Sequence, residues 1–287
     1  MGTYLRPSTV AEALEELAAG DREGRPRVIV AGATDHYPAR VGRPTDEDIL
    51  DIGAIADMRR IQETDGGWRI PAGATWTDVV VTRLPPLFDG LKRAARAVGG
   101  LQIQNRGTLV GNLCNASPAA DGLPNLLALE AMVTIASSRA ERRVPVAGFV
   151  TGNRATVRAA DELVTGVYVP NPGGGADTVA RSTFLKLGSR AYLVISIAMV
   201  AAVMVKDARG RVGAVRVAVG ACSEVALRLA SLEAELIGLV ASPGLSDVLR
   251  SEHLAGLAPI DDVRGSAAYR LEAAGVLVRR ALEGLVA

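Results

Sequence analysis

The 287-residue chain is short of the residues most self-sufficient enzymes use. It has two cysteines, Cys114 and Cys222, far apart and neither in a C-x-x-C pair, so nothing supports a disulfide framework or a cysteine-held cluster. His36 and His253 are the only histidines, too few for a zinc or copper site, and they leave Ser-His-Asp chemistry without a ready base. Aromatic residues make up 3% of the chain, which rules out a row of base-stacking platforms. Basic and acidic residues nearly cancel, 32 against 31, so no basic stripe invites nucleic acid. The longest apolar stretch, Tyr192 to Val205, has 14 uncharged residues. A bilayer span needs about 18 to 20, so this stretch is expected to be buried core rather than a membrane span. The first twenty residues lack the charged and apolar regions of an export signal. Together these absences point to a reducing, cytoplasmic setting and to chemistry supplied by a cofactor.

What is present reads as two α+β domains, 1–175 and 176–287. Thr9 and Glu12 form a capping box that starts a helix over 9–19, and Gly20 is expected to close it. Short β-branched runs at 27–31 and 49–52 read as strands. Asp65-Gly66-Gly67 predicts a hairpin between strands at 61–64 and 68–70, and Thr75 caps a short helix. Helices are expected over 87–98 and 123–130, and strands over 132–137 and 143–146. Asn171-Pro172 followed by three glycines has the composition of a linker, which sets the domain boundary. Beyond it, strands at 179–187, 194–205 and 212–220 predict a three-stranded antiparallel sheet, and the chain from Val225 onward reads as a helical bundle.

Two segments could carry chemistry. Ile29-Val30-Ala31 leads into Gly32-Ala33-Thr34-Asp35-His36, a strand followed by a tight turn whose N–H groups can cradle a phosphate oxygen. The spacing fits neither G-x-G-x-x-G nor a P-loop. The second segment runs from Asn105 to Asp121 and is expected to be a polar, glycine-punctuated loop between two helices. There Thr108, Asn112 and Ser117 offer neutral polar groups, and Asp121 can accept from a ribose or an adenine edge. An Ω-loop satisfying only its own backbone is the plainer alternative.

The block Thr108-Leu109-Val110-Gly111-Asn112 followed by Ala116-Ser117-Pro118-Ala119-Ala120-Asp121 resembles the second FAD signature of the medium subunit of molybdenum hydroxylases, the carbon monoxide dehydrogenase and xanthine dehydrogenase type. Ala31 to Asp35 is similar to that family's first glycine turn. Phe184-x-Lys186-x-Gly188-x-Arg190-x-Tyr192 is similar to the start of its C-terminal domain, and Val219-Gly220-Ala221 to the strand-to-helix passage beyond. The resemblance implies a PCMH-type FAD-binding domain of two α/β subdomains followed by a small C-terminal domain. It also implies FAD contacts from 29–36, from 108–112, and from Ser117, Asp121, Val164, Lys186 and Tyr192. The family usually has glycine where Ala33 and Val110 stand, and a Cβ at either place is costly if the backbone needs positive φ.

The resemblance further implies an oxidoreductase role without a catalytic side chain of its own. A small partner subunit with [2Fe–2S] clusters would relay electrons from a large molybdopterin subunit to FAD on this chain, in a dimer of heterotrimers. Two other readings stay open: a self-contained PCMH-type FAD oxidoreductase, and a scaffold subunit whose flavin site has decayed.

Overall fold

The computed structural model describes residues 2–42, 46–172 and 179–287. The first part begins with β1 (Tyr4–Leu5), α1 (Val10–Arg22), β2 (Val28–Val30) and β3 (Ile49–Asp51), whose strands form a parallel sheet in the order β1-β3-β2. The N-terminus of α1 is capped as expected, Thr9 Oγ1 accepting from Glu12 N at 3.2 Å, while the Glu12 carboxylate reaches back to Ser8 N at 2.7 Å. Gly20 does not close the helix. The glycine stop is Gly24 at φ +66°, and Gly20 is needed because the returning chain brings the Arg25 carbonyl to 2.8 Å from where a Cβ would stand.

Next come β4 (Gln62–Thr64), β5 (Gly67–Pro71), α2 (Trp76–Val81), α3 (Asp89–Ala97), α4 (Leu101–Gln104), α5 (Leu109–Asn115) and α6 (Gly122–Ala128). They are followed by β6 (Met132–Ala136), β7 (Glu141–Pro145), α7 (Val146–Phe149), the hairpin β8 (Val150–Gly152) and β9 (Ala155–Thr156), and β10 (Leu163–Pro170). Strands β4-β5-β10-β6-β7 form an antiparallel sheet. Gly66 at φ +78° makes the expected hairpin turn, and Thr75 and Asp78 build a full capping box on α2. The proposed linker lies at the edge of the described residues, and its glycines, 173–175, lie outside them.

The last part carries β11 (Val179–Leu187), β12 (Ala198–Lys206), β13 (Val212–Gly220), β14 (Leu227–Arg228), α8 (Ala230–Leu236) and α9 (Ala267–Val286). The sheet has four antiparallel strands in chain order, not three, because the chain after Cys222 pairs two residues with β13 before turning helical. Nor is the remainder a helical bundle. Gly238 and Gly244, at φ +81° and +89°, break the chain after α8, and short turns fill the span to α9. Strand β12 begins at Ala198 and is buried on both faces. Met199, Ala201 and Val203 join the core of the first domain, while Ala198, Val200, Ala202 and Met204 pack with Leu232, Leu236, Leu277 and Leu282 from α8 and α9. Burial on both sides is why this strand reads as a continuous apolar run rather than an alternating one. The head of that run is not core: Tyr192, Leu193 and Ile195 are exposed.

Helix α3 fixes the two domains together. Gly90 lets it approach β11, its N–H donating to Ser182 Oγ at 2.8 Å, and Arg93 Nη1 donates to Thr183 Oγ1 at 2.6 Å. Among the described residues no helix is long and apolar enough to cross a membrane.

Candidate functional site

A cleft of about 960 Å³ lies where the parallel sheet, α5, the β8–β9 hairpin and the segment after β11 meet. That is the upper end of the range for small-molecule sites, the size a dinucleotide needs. Its floor comes from the two segments singled out in the sequence.

In the first, β2 runs out at Val30 and the chain turns at Gly32. A Cβ on Gly32 would overlap the Arg106 carbonyl and stand 2.9 Å from Gly107 Cα, so this glycine exists for loop-on-loop packing. Ala33 then takes φ +53°, a left-handed conformation that favours glycine. A single helical turn follows, Tyr37 N donating to Ala33 O at 3.3 Å. Among the described residues the N–H groups of Ala33, Thr34, Asp35 and His36 donate to no protein acceptor. Successive free donors opening a turn are an anion cradle.

The second segment is not the loop expected from its polar residues, since 109–115 is helix α5. Thr108 Oγ1 caps it by accepting from Gly111 N at 2.9 Å, and Leu109, Val110 and Leu113 bury one face. Val110 therefore sits in right-handed helix with its side chain buried in the core, and its Cβ carries no backbone strain. Ala116 at φ +48° ends the helix. The two capped helices face each other: Trp76 N donates to Gly107 O at 3.0 Å and Leu109 N to Ala74 O at 3.3 Å.

Most of the residues marked in the sequence border this cleft: 29–36, Thr108, Val110, Gly111, Asn112 and Val164. Five do not. Leu109 is buried behind the wall, and Ser117 Oγ accepts from Ala119 N two residues on at 3.3 Å. Tyr192 is 74% exposed, and its neighbours Leu193, Val194 and Ile195 form that wall instead. Asp121 and Lys186 bind each other at 2.7 Å, with Ser196 Oγ donating to the second carboxylate oxygen at 2.7 Å. Burial raises the Asp121 carboxyl pKa, and Lys186 and Ser196 hold it down. The pair ties α6 to β11 and to the segment bearing Leu193.

The sequence reading missed the charged rim. Arg27, Arg40, Arg154 and Arg158 border the cleft, against Asp35 as the carboxylate on it. Arg27 is paired with Asp48 at 2.6 Å, Arg40 with Glu47 at 2.7 Å and Arg154 with Asp35 at 2.7 Å, while Arg158 donates to the carbonyls of Ala159 and Glu162. The turn Gly152-Asn153-Arg154 was the available signal for Arg154. Half-buried His36 leaves Nε2 without a hydrogen-bond partner, 3.8 Å from Glu47, and burial first, then Arg40, lowers its pKa. An orphaned ring nitrogen, free N–H groups, a cationic rim and apolar walls at Val98, Ile103 and Val164 suit an anionic dinucleotide with a planar ring system. Cys114 borders the same cleft, but burial pushes its thiol up to about 12, so it remains protonated.

Among the described residues, Glu235, Glu252 and His253 are close enough together to hold a metal ion. Arg250 pairs with both carboxylates, at 2.8 and 2.7 Å, and its N–H donates to His253 Nδ1 at 3.0 Å, which occupies the ligand atoms.

Comparison with known proteins agrees with this geometry. Residues 1–172 match the family model described as FAD binding domain in molybdopterin dehydrogenase, and residues 183–285 match CO dehydrogenase flavoprotein C-terminal domain. The nicotine 6-hydroxylase medium subunit of Paenarthrobacter nicotinovorans is 29% identical, covering 97% of this chain and 95% of its own. The glyceraldehyde dehydrogenase medium chain of Sulfolobus acidocaldarius is 28% identical over 98% and 97%. A solved carbon monoxide dehydrogenase from Hydrogenophaga pseudoflava superposes with a TM-score of 0.85 at 27% identity, covering 98% of this chain and 96% of that one. The chain thus belongs to the FAD-binding medium subunits of molybdenum hydroxylase-type dehydrogenases, with FAD as the cofactor of its first domain.

Proposed function

We propose that this chain takes electrons from [2Fe–2S] clusters of a small partner subunit and passes them to an external acceptor, while a large molybdopterin subunit oxidises the substrate. The complex is a dimer of heterotrimers in the cytoplasm, and the chain divides at 175/176 into a PCMH-type FAD-binding domain and a C-terminal domain. The observation that carries the reading is the convergence of the 33–36 N–H cradle and capped helix α5 on one cleft large enough for a dinucleotide.

Bound FAD supplies chemistry that side chains lack, accepting electrons singly and releasing them singly or in pairs. The protein's own part is to hold and shield it. The free N–H groups of Ala33 to His36 bind the pyrophosphate. Val164, Leu193 and Ile195 supply apolar wall that excludes water. Lys186 and Asp121 hold the Leu193 segment in place from behind.

A visible spectrum and an acid-released cofactor assay on the full chain, purified with whatever accompanies it, test the reading. The expected result is FAD equimolar with the chain, reduced faster when an iron–sulfur partner is present. Absence of flavin, or FMN in its place, removes the reading and leaves a scaffold role.

A further inference from the structure

Asp35 presents a difficulty for any anion that enters the cleft. Its backbone N–H belongs to the cradle, yet its side chain is a half-exposed carboxylate on the same wall. A fixed negative charge within a Debye length of a pyrophosphate, about 8 Å at physiological salt, repels it. Among the described residues one cation pairs with it directly. Arg154 Nη1 donates to Asp35 Oδ2 at 2.7 Å and also to Asn115 Oδ1, joining the first loop, the end of α5 and the tip of the β8–β9 hairpin.

The other guanidinium groups on the rim are committed elsewhere: Arg27 to Asp48 and Glu23, Arg40 to Glu47, and Arg158 to two carbonyls. Arg154 is also placed with some rigidity. It has φ +61°, its N–H donates at 2.9 Å to the carbonyl of Ala116, itself left-handed, and the adjacent Asn153 N donates to Glu224 Oε1 at 3.2 Å from the C-terminal domain. Two non-glycine residues in the left-handed region, joined by a hydrogen bond, persist only where the surroundings enforce them.

We propose that Arg154 is a positioning residue of the cofactor site, setting its affinity for FAD by neutralising Asp35 at the edge of the phosphate cradle. This rests on the FAD reading above and assigns the residue that makes the first loop compatible with an anion.

The test is a titration of flavin-stripped full-length protein with FAD, followed by flavin fluorescence, for the parent chain, Arg154→Gln, Asp35→Asn and the double variant. Circular dichroism checks that each is folded. Arg154→Gln is expected to weaken FAD binding roughly tenfold at low salt, the equivalent of about 1.4 kcal/mol. The deficit should shrink as salt rises, because exposed charges are screened. Asp35→Asn alone should bind at least as tightly as the parent, and the double variant should return to within about threefold of it. Parent-like binding by Arg154→Gln overturns the inference, and so does a double variant that stays as weak as the single one, since Arg154 would then act by contact rather than by neutralisation. If the parent chain binds no FAD, the functional reading fails and this inference fails with it.

Discussion

The substitution Gly32→Ala separates two explanations of a glycine in a phosphate-binding turn. If Gly32 only makes room for a phosphate, adding a methyl group leaves the cofactor-free protein unaffected. The structure indicates otherwise, because the new Cβ would collide with the Arg106 carbonyl and crowd Gly107 Cα at 2.9 Å. Both obstacles are backbone, so no rotamer change relieves the overlap, and the 105–108 segment has to move. That segment and the adjoining Leu109 carry the bonds joining the two helix caps, Trp76 N to Gly107 O and Leu109 N to Ala74 O. Overpacking of this kind costs about 1 to 3 kcal/mol, and straining one of these backbone bonds adds about 1 kcal/mol. An expected loss of roughly 2 to 4 kcal/mol in flavin-free protein corresponds to a thermal midpoint lower by about 5 to 15 °C for a chain of this size. Thermal and urea unfolding of the stripped protein, monitored by circular dichroism, measure it directly, with flavin content scored in parallel. A flavin-free Gly32→Ala within about 0.5 kcal/mol of the parent would refute the packing argument and return the glycine to the cofactor.

Three further outcomes are expected. Ala33→Gly relieves a left-handed φ of +53°, and after the greater freedom of unfolded glycine is subtracted it should stabilise by about 0.5 to 1 kcal/mol in urea unfolding, with FAD retained. Lys186→Met leaves a buried carboxylate with only Ser196 beside it and should destabilise by about 3 kcal/mol at pH 7.5. Because burial raises the pKa of Asp121 in the folded state, this variant should recover stability as pH falls toward 5; equal losses at both pH values would contradict that. Asp48, held by Thr3 N–H and by Arg25 and Arg27, has its pKa lowered to about 2, so its contribution is complete above its unfolded value near 4 and is lost as pH falls toward 2. Asp48→Asn should accordingly flatten the acid limb of the stability curve between those values, read by intrinsic fluorescence.

Local chemistry that acts within a few residues was legible in the sequence. The Asp65–Gly67 turn, the Thr9 and Thr75 caps and the strands at 179–187 and 212–220 follow from turn, capping and β-propensity rules, and the structure has each of them. The two segments that border the cleft were also legible, because they occupy contiguous stretches with a recognisable pattern. What the sequence could not rank was competition between signals. At 105–121 the small polar residues suggested a loop, while the apolar spacing of Leu109, Val110 and Leu113 behind the Thr108 cap made a helix.

By itself, then, the sequence determined that the chain must use a cofactor, the α+β class, and which two segments border the cleft, since each of these is a matter of composition or of neighbours along the chain. Only the tertiary structure decided what those residues do. It turned Gly32 toward Arg106 and made Asp121 and Lys186 partners across 65 positions. It also brought Leu193 out of an apolar run to the cleft wall and carried Arg154 across 119 positions to Asp35. The physical reason is range: turns and caps are satisfied within one or two turns of chain, whereas buried ion pairs and backbone close approaches depend on which surfaces the completed fold presses together.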